Sequence, residues 1–83
     1  MNFDYTDELD NYFLVIFKIE GIPFSAQVDK ESKSVIDICT LANGVYNASH
    51  PYNINTTLKQ IDWLPLNYFE VEDALVEYFT NEY

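Results

Sequence analysis

The stretch FEVEDALVEYF, which begins at Phe69, carries four carboxylates and no cation. Wound as a helix, it gathers Glu70, Asp73 and Glu77 on one side, with Glu72 at the flank. Their backbone positions stand about 4.5 and about 6 Å apart along the axis. Carboxylates at these spacings with no Lys between them cost a helix a few tenths of a kcal/mol. Glu70 recovers part of that through the helix dipole, whereas Glu77, near the other end, does not. The N-terminal MNFDYTDELD repeats the theme, with Asp4, Asp7, Glu8 and Asp10 set around Phe3, Tyr5, Leu9 and Tyr12. Together the two segments hold eight of the fourteen acids. Such a pattern suits an anionic docking face for a basic protein, and tyrosines beside it offer ring faces and hydroxyls to an Arg-bearing partner. Tyr68 and Tyr78 fall on the apolar stripe of the helix and read as core, which leaves Tyr5 and Tyr83 as the interface tyrosines. The plainer alternative is a solvated face that only confers solubility.

Other chemistry finds little footing. His50 stands alone beside Pro51 with no nucleophile or orienting partner nearby in the sequence, so it reads as a loop histidine and the chain as a non-enzyme. Cys39, the single cysteine, sits in SVIDICTL without a basic neighbour to stabilise a thiolate and reads as a small buried hydrophobe. DYTDELD lacks the Gly and the bidentate Glu of a calcium loop, no Cys/His set suits zinc, and two glycines cannot build a phosphate cradle. No metal or cofactor is therefore expected. Fourteen acids against four Lys and no Arg give a formal net charge of −10. A field of that sign repels nucleic acid and anionic membranes and steers the protein toward basic surfaces. Direct nucleic-acid binding is accordingly excluded. No apolar run approaches the roughly 18 residues of a membrane span, and the acidic N-terminus lacks a signal-peptide pattern. A cytoplasmic protein is expected, with the sequons at Asn47 and Asn55 as chance matches.

The elements that must position these groups can be read from periodicity. Residues 1–83 make one domain whose 48% hydrophobic content suffices for a thin core. Phe13, Val15, Phe17 and Ile19 alternate on one strand face. Phe24, Ala26 and Val28 continue the pattern after a break at Gly21 to Pro23, which reads as a hairpin. Leu14 and Ile16 make the first strand apolar on its other face too, which keeps a homodimer open. SVIDICTL reads as a third strand with Ile36 and Ile38 on one face and Val35, Cys39 and Leu41 on the other. Asn43-Gly44 signals a type I′ turn leading to a fourth strand at Val45 to Ala48. LKQIDWLPL fits a fifth strand, with Ile61 and Trp63 inward, better than a short helical turn. Asn67 and Glu70 form a capping box, and Leu66 can staple against Val71. A helix follows from Tyr68 to Thr80 with the stripe Val71, Ala74, Leu75, Tyr78 and Phe79. The expected fold is α+β, an antiparallel meander of four or five strands packed by one C-terminal helix.

In size, charge and aromatic content over its whole length, the chain resembles the small, acidic, tyrosine-rich inhibitors made by bacteriophages and other mobile elements, including anti-restriction and anti-CRISPR proteins. That resemblance implies a DNA mimic whose carboxylates stand in for phosphates in a basic nucleic-acid-binding groove of a host defence complex. Two other functions fit the same residues. One is an immunity or antitoxin protein plugging a basic toxin nuclease. The other is a non-enzymatic adaptor or structural subunit that docks through its doubly apolar strand.

Overall fold

The computed structural model of the chain describes residues 1–82, so Tyr83 lies outside the described residues. Four strands, β1 (Asn2–Glu8), β2 (Tyr12–Ile19), β3 (Ile22–Asp29) and β4 (Val35–Thr40), form an antiparallel meander in the order β1-β2-β3-β4. A two-stranded hairpin, β5 (Gly44–Tyr46) with β6 (His50–Tyr52), follows, then a 3-10 turn at Leu58–Gln60 and the helix α1 (Tyr68–Glu82). The fold is α+β, as the periodicity implies.

The hairpin β2–β3 forms because the two apolar alternations run in register from Tyr12↔Asp29 to Ile19↔Ile22. Its turn is tighter than the break at Gly21 to Pro23 suggests. Glu20 and Gly21 carry φ of 52° and 80°, the pair of positive values a two-residue I′ connection needs, and Pro23 lies within β3 opposite Lys18. One face of the sheet then presents Phe13, Val15, Phe17, Ile19, Phe24, Ala26, Val28 and Ile38, all buried. Val71, Leu75 and Phe79 of α1 close over them, with Phe13 and Phe79 ring centroids 5.1 Å apart. Leu58, Ile61 and Leu66 extend the same cluster, so Leu66 packs on the core that holds Val71, as a staple would. The capping box is present: the Asn67 N–H donates to Glu70 Oε2 at 3.0 Å and the Glu70 N–H to Asn67 Oδ1 at 2.9 Å. Such a cap contributes about 1 kcal/mol to helix stability.

Several expectations are corrected. The acidic N-terminal segment is itself a strand, β1, and it adds at the β2 edge of the sheet, opposite the edge at which a later strand was expected. Asn43-Gly44 is not the turn. The I′ geometry falls at Asn47 and Ala48, φ 50° and 57°, with the Ser49 N–H donating to the Tyr46 carbonyl, and the strand expected at Val45 to Ala48 leaves the main sheet to pair with β6. Gly44 instead lies under the end of the Tyr52 side chain, so a Cβ there would force that ring to shift. Residues 58–64 hold a 3-10 turn instead of a strand, because the Gln60 side chain reaches back to the Thr57 N–H at 3.2 Å, while Ile61 is buried as expected and Trp63 half-buried. Last, a register shift between Gln27 and Val28 places Val35 on the core and turns Ile36 to solvent, 55% exposed, so Ile36 and Ile38 do not share a face.

The second face of the sheet has no helix over it. Leu14 and Ile16 lie there, half-buried, beside Tyr5, Tyr12 and Cys39. Cys39 is thus not the fully buried residue its apolar context predicts. Its thiol lies 3.3 Å from Asp37 Oδ2, and partial burial together with that carboxylate pushes its pKa up. The edge of β4 is closed in part by the loop after β6: the Thr40 N–H donates to the Thr56 carbonyl, the Asn55 N–H to the Thr40 carbonyl, and Cys39 bridges Thr57. Asn47 and Asn55, the two sequon asparagines, both have positive φ, which Asn tolerates better than most residues.

Candidate anionic docking face

Three acids of α1 lie off its buried stripe. Glu70, Asp73 and Glu77 are exposed, but they are not equivalent. The carboxylate of Glu70 is committed to the cap. Asp73 and Glu77 sit one turn apart and have no ion pair or hydrogen bond among the described residues. Phe69 lies on the same outward surface at 72% exposure, with Val76 at 41%. The helix therefore presents carboxylates around exposed apolar side chains, a mixture that the carboxylate spacing alone does not reveal. Tyr68 and Tyr78 are half-buried against the core, as their place on the apolar stripe predicts. The Tyr68 hydroxyl is pushed up by burial and by the neighbouring carboxylate of Glu72.

The N-terminal acids belong to an edge strand. Register with β2 sets Tyr5 opposite Ile16 and Asp7 opposite Leu14, on the open sheet face, while Phe3 and Thr6 face the helix opposite Phe17 and Val15. Asp4 sits at a bulge between these two phases and pairs with Lys18 at 3.4 Å. Glu8 pairs with Lys30 at 2.9 Å. Exposed pairs of this kind contribute about 0–1 kcal/mol. Asp7 and Asp10 are exposed, and no ion pair holds them among the described residues. Tyr5 is 55% exposed, consistent with an interface residue. The structure thus brings Asp73 and Glu77 together on one side of the molecule, sets Tyr5 and Asp7 on the other, and holds Asp4 and Glu8 in internal pairs.

All four lysines are engaged away from Asp73 and Glu77. Besides the pairs of Lys18 and Lys30, the Lys33 ammonium lies 4.8 Å from the centre of the Phe13 ring and donates to the Lys30 carbonyl. The Lys59 ammonium lies 4.7 Å above Tyr68. The lysines are thus engaged with the chain's own scaffold, and among the described residues Asp73 and Glu77 have no ion pair.

Two shallow clefts adjoin these groups. One, of about 370 Å³, lies between the start of β1 and the second half of α1 and is lined by Met1, Phe3, Ala74, Glu77, Tyr78 and Asn81. Its floor is the Phe3–Tyr78 stack, with centroids 4.4 Å apart. The other, of about 490 Å³, is formed where the 3-10 turn meets the start of α1, around Ile61, Tyr68 and Phe69. His50, read as a loop residue, belongs to β6 and stacks on Trp63 at 4.9 Å, beside Tyr46. Among the described residues, no three His, Cys, Asp or Glu side chains gather to hold a metal ion, and no helix is long and apolar enough to cross a membrane.

No protein-family model matches the chain, and neither a curated protein nor a solved structure shows detectable similarity to it.

Proposed function

We propose that this chain is a small acidic protein-binding inhibitor that blocks a basic nucleic-acid-binding surface of a host defence complex, in the manner of phage-encoded anti-CRISPR or DNA-mimic proteins acting in the host cytoplasm. The observation that carries this reading is the pair Asp73 and Glu77. Like charges one turn apart, with every lysine of the chain engaged elsewhere, lower the stability of the helix that bears them. A basic partner removes that cost on binding. Phe69 and Val76 beside them supply apolar contact, so the complex does not depend on charge alone.

The test is capture from a bacterial lysate on immobilised protein, at low and high salt, with and without competing DNA. A nucleic-acid-binding protein should be retained, displaced by DNA, released at high salt, and lost on a double Asp73→Lys, Glu77→Lys variant whose circular dichroism is unchanged. Glu70 is left intact because its carboxylate holds the cap. Retention of the same protein by the variant would remove the helix from the interface. A second reading, a non-enzymatic adaptor, draws on Leu14 and Ile16 on the uncovered sheet face, and capture by that route would survive high salt and ignore DNA.

A further inference from the structure

Among the described residues β1 is an edge strand with β2 as its one neighbour in the sheet, so one side of its backbone has N–H and C=O groups with no ladder partner there. The opposite edge, β4, is partly closed by Thr56 and Thr57. The open edge is flanked by acids on both faces of the sheet. On the uncovered face stand Asp7 and Asp4 with Tyr5, and on the helix face Glu77 overlooks the cleft floored by Phe3 and Tyr78. A ligand lying along this edge would have acids on each face of the sheet.

Resting on the acidic-docking reading above, we propose that the partner contributes an extended basic segment that adds to β1 as a fifth strand of the sheet. Side chains of an added strand alternate between faces. One set enters the cleft, where an Arg or Lys meets the Glu77 carboxylate and lies against the Phe3 and Tyr78 rings. The other set passes Tyr5, Asp4 and Asp7. Main-chain hydrogen bonds to β1 supply affinity, and the acids select the sequence. A second copy of this chain fits the edge less well, because Asp7 and Glu77, which have no ion pair among the described residues, would bring like charge to both sides of the contact. The edge therefore favours a cationic strand over its own copy.

The probe is a synthetic peptide alternating arginine and valine, of the length of β1, compared at low salt with an analogue of equal charge N-methylated on the side that would pair. Binding is followed by amide hydrogen exchange of the full chain. The parent peptide should slow exchange along β1 and leave β4 unchanged. N-methylation should weaken binding about tenfold or more, since several hydrogen bonds of about 0.5–1.5 kcal/mol are lost. Glu77→Gln should also weaken the parent peptide, at unchanged circular dichroism. Equal binding of the N-methylated analogue, with β1 exchange unaffected, would overturn strand addition and leave docking by charge standing. Failure of both peptides to bind would overturn strand addition and the anionic docking face together.

Discussion

Asp29 shows what one carboxylate gains when the chain supplies donors. The Ser32 N–H and the Ser32 hydroxyl both donate to Asp29 Oδ2, at 2.9 and 2.8 Å, and these bonds, with further help from the Glu31 N–H and the Lys33 charge, hold its carboxyl below the ordinary value. A carboxyl depressed in the folded state contributes stability that is present above its unfolded pKa and is lost as pH falls through the folded value. Asp29→Asn should therefore be less stable than the parent at neutral pH, and the gap should close as pH drops below about 4. Urea denaturation of both proteins near neutrality and in acid measures this. A gap that persists undiminished in acid would mean that the turn depends on shape and not on charge. Asp73 and Glu77 have no such donors among the described residues, which is why their charge remains available to a partner. Cys39 is the opposite case, since burial and the Asp37 carboxylate keep the thiol protonated and unsuited to nucleophilic work.

At the scale of elements, α1 combines a well-made start with a strained outer surface. The Asn67–Glu70 box and the buried stripe Val71, Leu75 and Phe79 hold it, while the Asp73–Glu77 pair opposes it by a few tenths of a kcal/mol. Asp73→Asn combined with Glu77→Gln should raise the melting temperature at low salt by about 1–4 °C, given roughly 4–8 °C per kcal/mol for a domain of this size. Added salt should shrink that difference, since exposed charges are screened over about 8 Å at physiological ionic strength. A lowered melting temperature would show that the two carboxylates have stabilising partners, and the solvated-face reading would then replace docking. Strand β1 follows a related logic. Of its acids, Asp4 and Glu8 are held by Lys18 and Lys30, and Asp7 alone leaves unpaired charge on the exposed edge among the described residues, a division that the acid-rich composition does not reveal.

Over the whole molecule, a net charge of −10 opposes any contact between two copies, while the uncovered sheet face with Leu14 and Ile16 favours one. The repulsion falls with salt and the apolar term does not. Sedimentation at micromolar concentration should accordingly find a monomer at low salt and a growing dimer fraction at high salt. Ile16→Asp should remain monomeric throughout. A pure monomer in both proteins at every salt concentration would remove the sheet face from self-association. The same balance sets the two candidate binding modes apart, because contacts at the β1 edge and on α1 weaken with salt whereas contacts across the open sheet face strengthen.

What the sequence determines by itself is what a few neighbouring residues settle among themselves. Alternation fixes the core side of β2 and β3, the Asn67–Glu70 spacing fixes where α1 begins, and a 3.6-residue stripe fixes its buried side. The Thr57-x-x-Gln60 spacing is a local capping signal too, but the strand reading of LKQIDWLPL passes over it. Tertiary structure decides the rest, because bulges and pairing act over distances that periodicity does not see. The bulge at Asp4 puts Phe3 and Tyr5 on opposite faces although their spacing implies one, which hides β1 as a strand. The shift opposite Gln27 and Val28 does the same to Ile36. Asn43-Gly44 is the better turn pair locally, since Ala disfavours positive φ, yet the turn falls at Asn47-Ala48, and the stacking of Tyr46 on Trp63, seventeen positions further along, accompanies that choice. The acids themselves are plain in the sequence. Which of them are paired, which line an edge and which face outward together depends on where β1 and α1 lie across the sheet, and only the folded chain brings those elements into one frame.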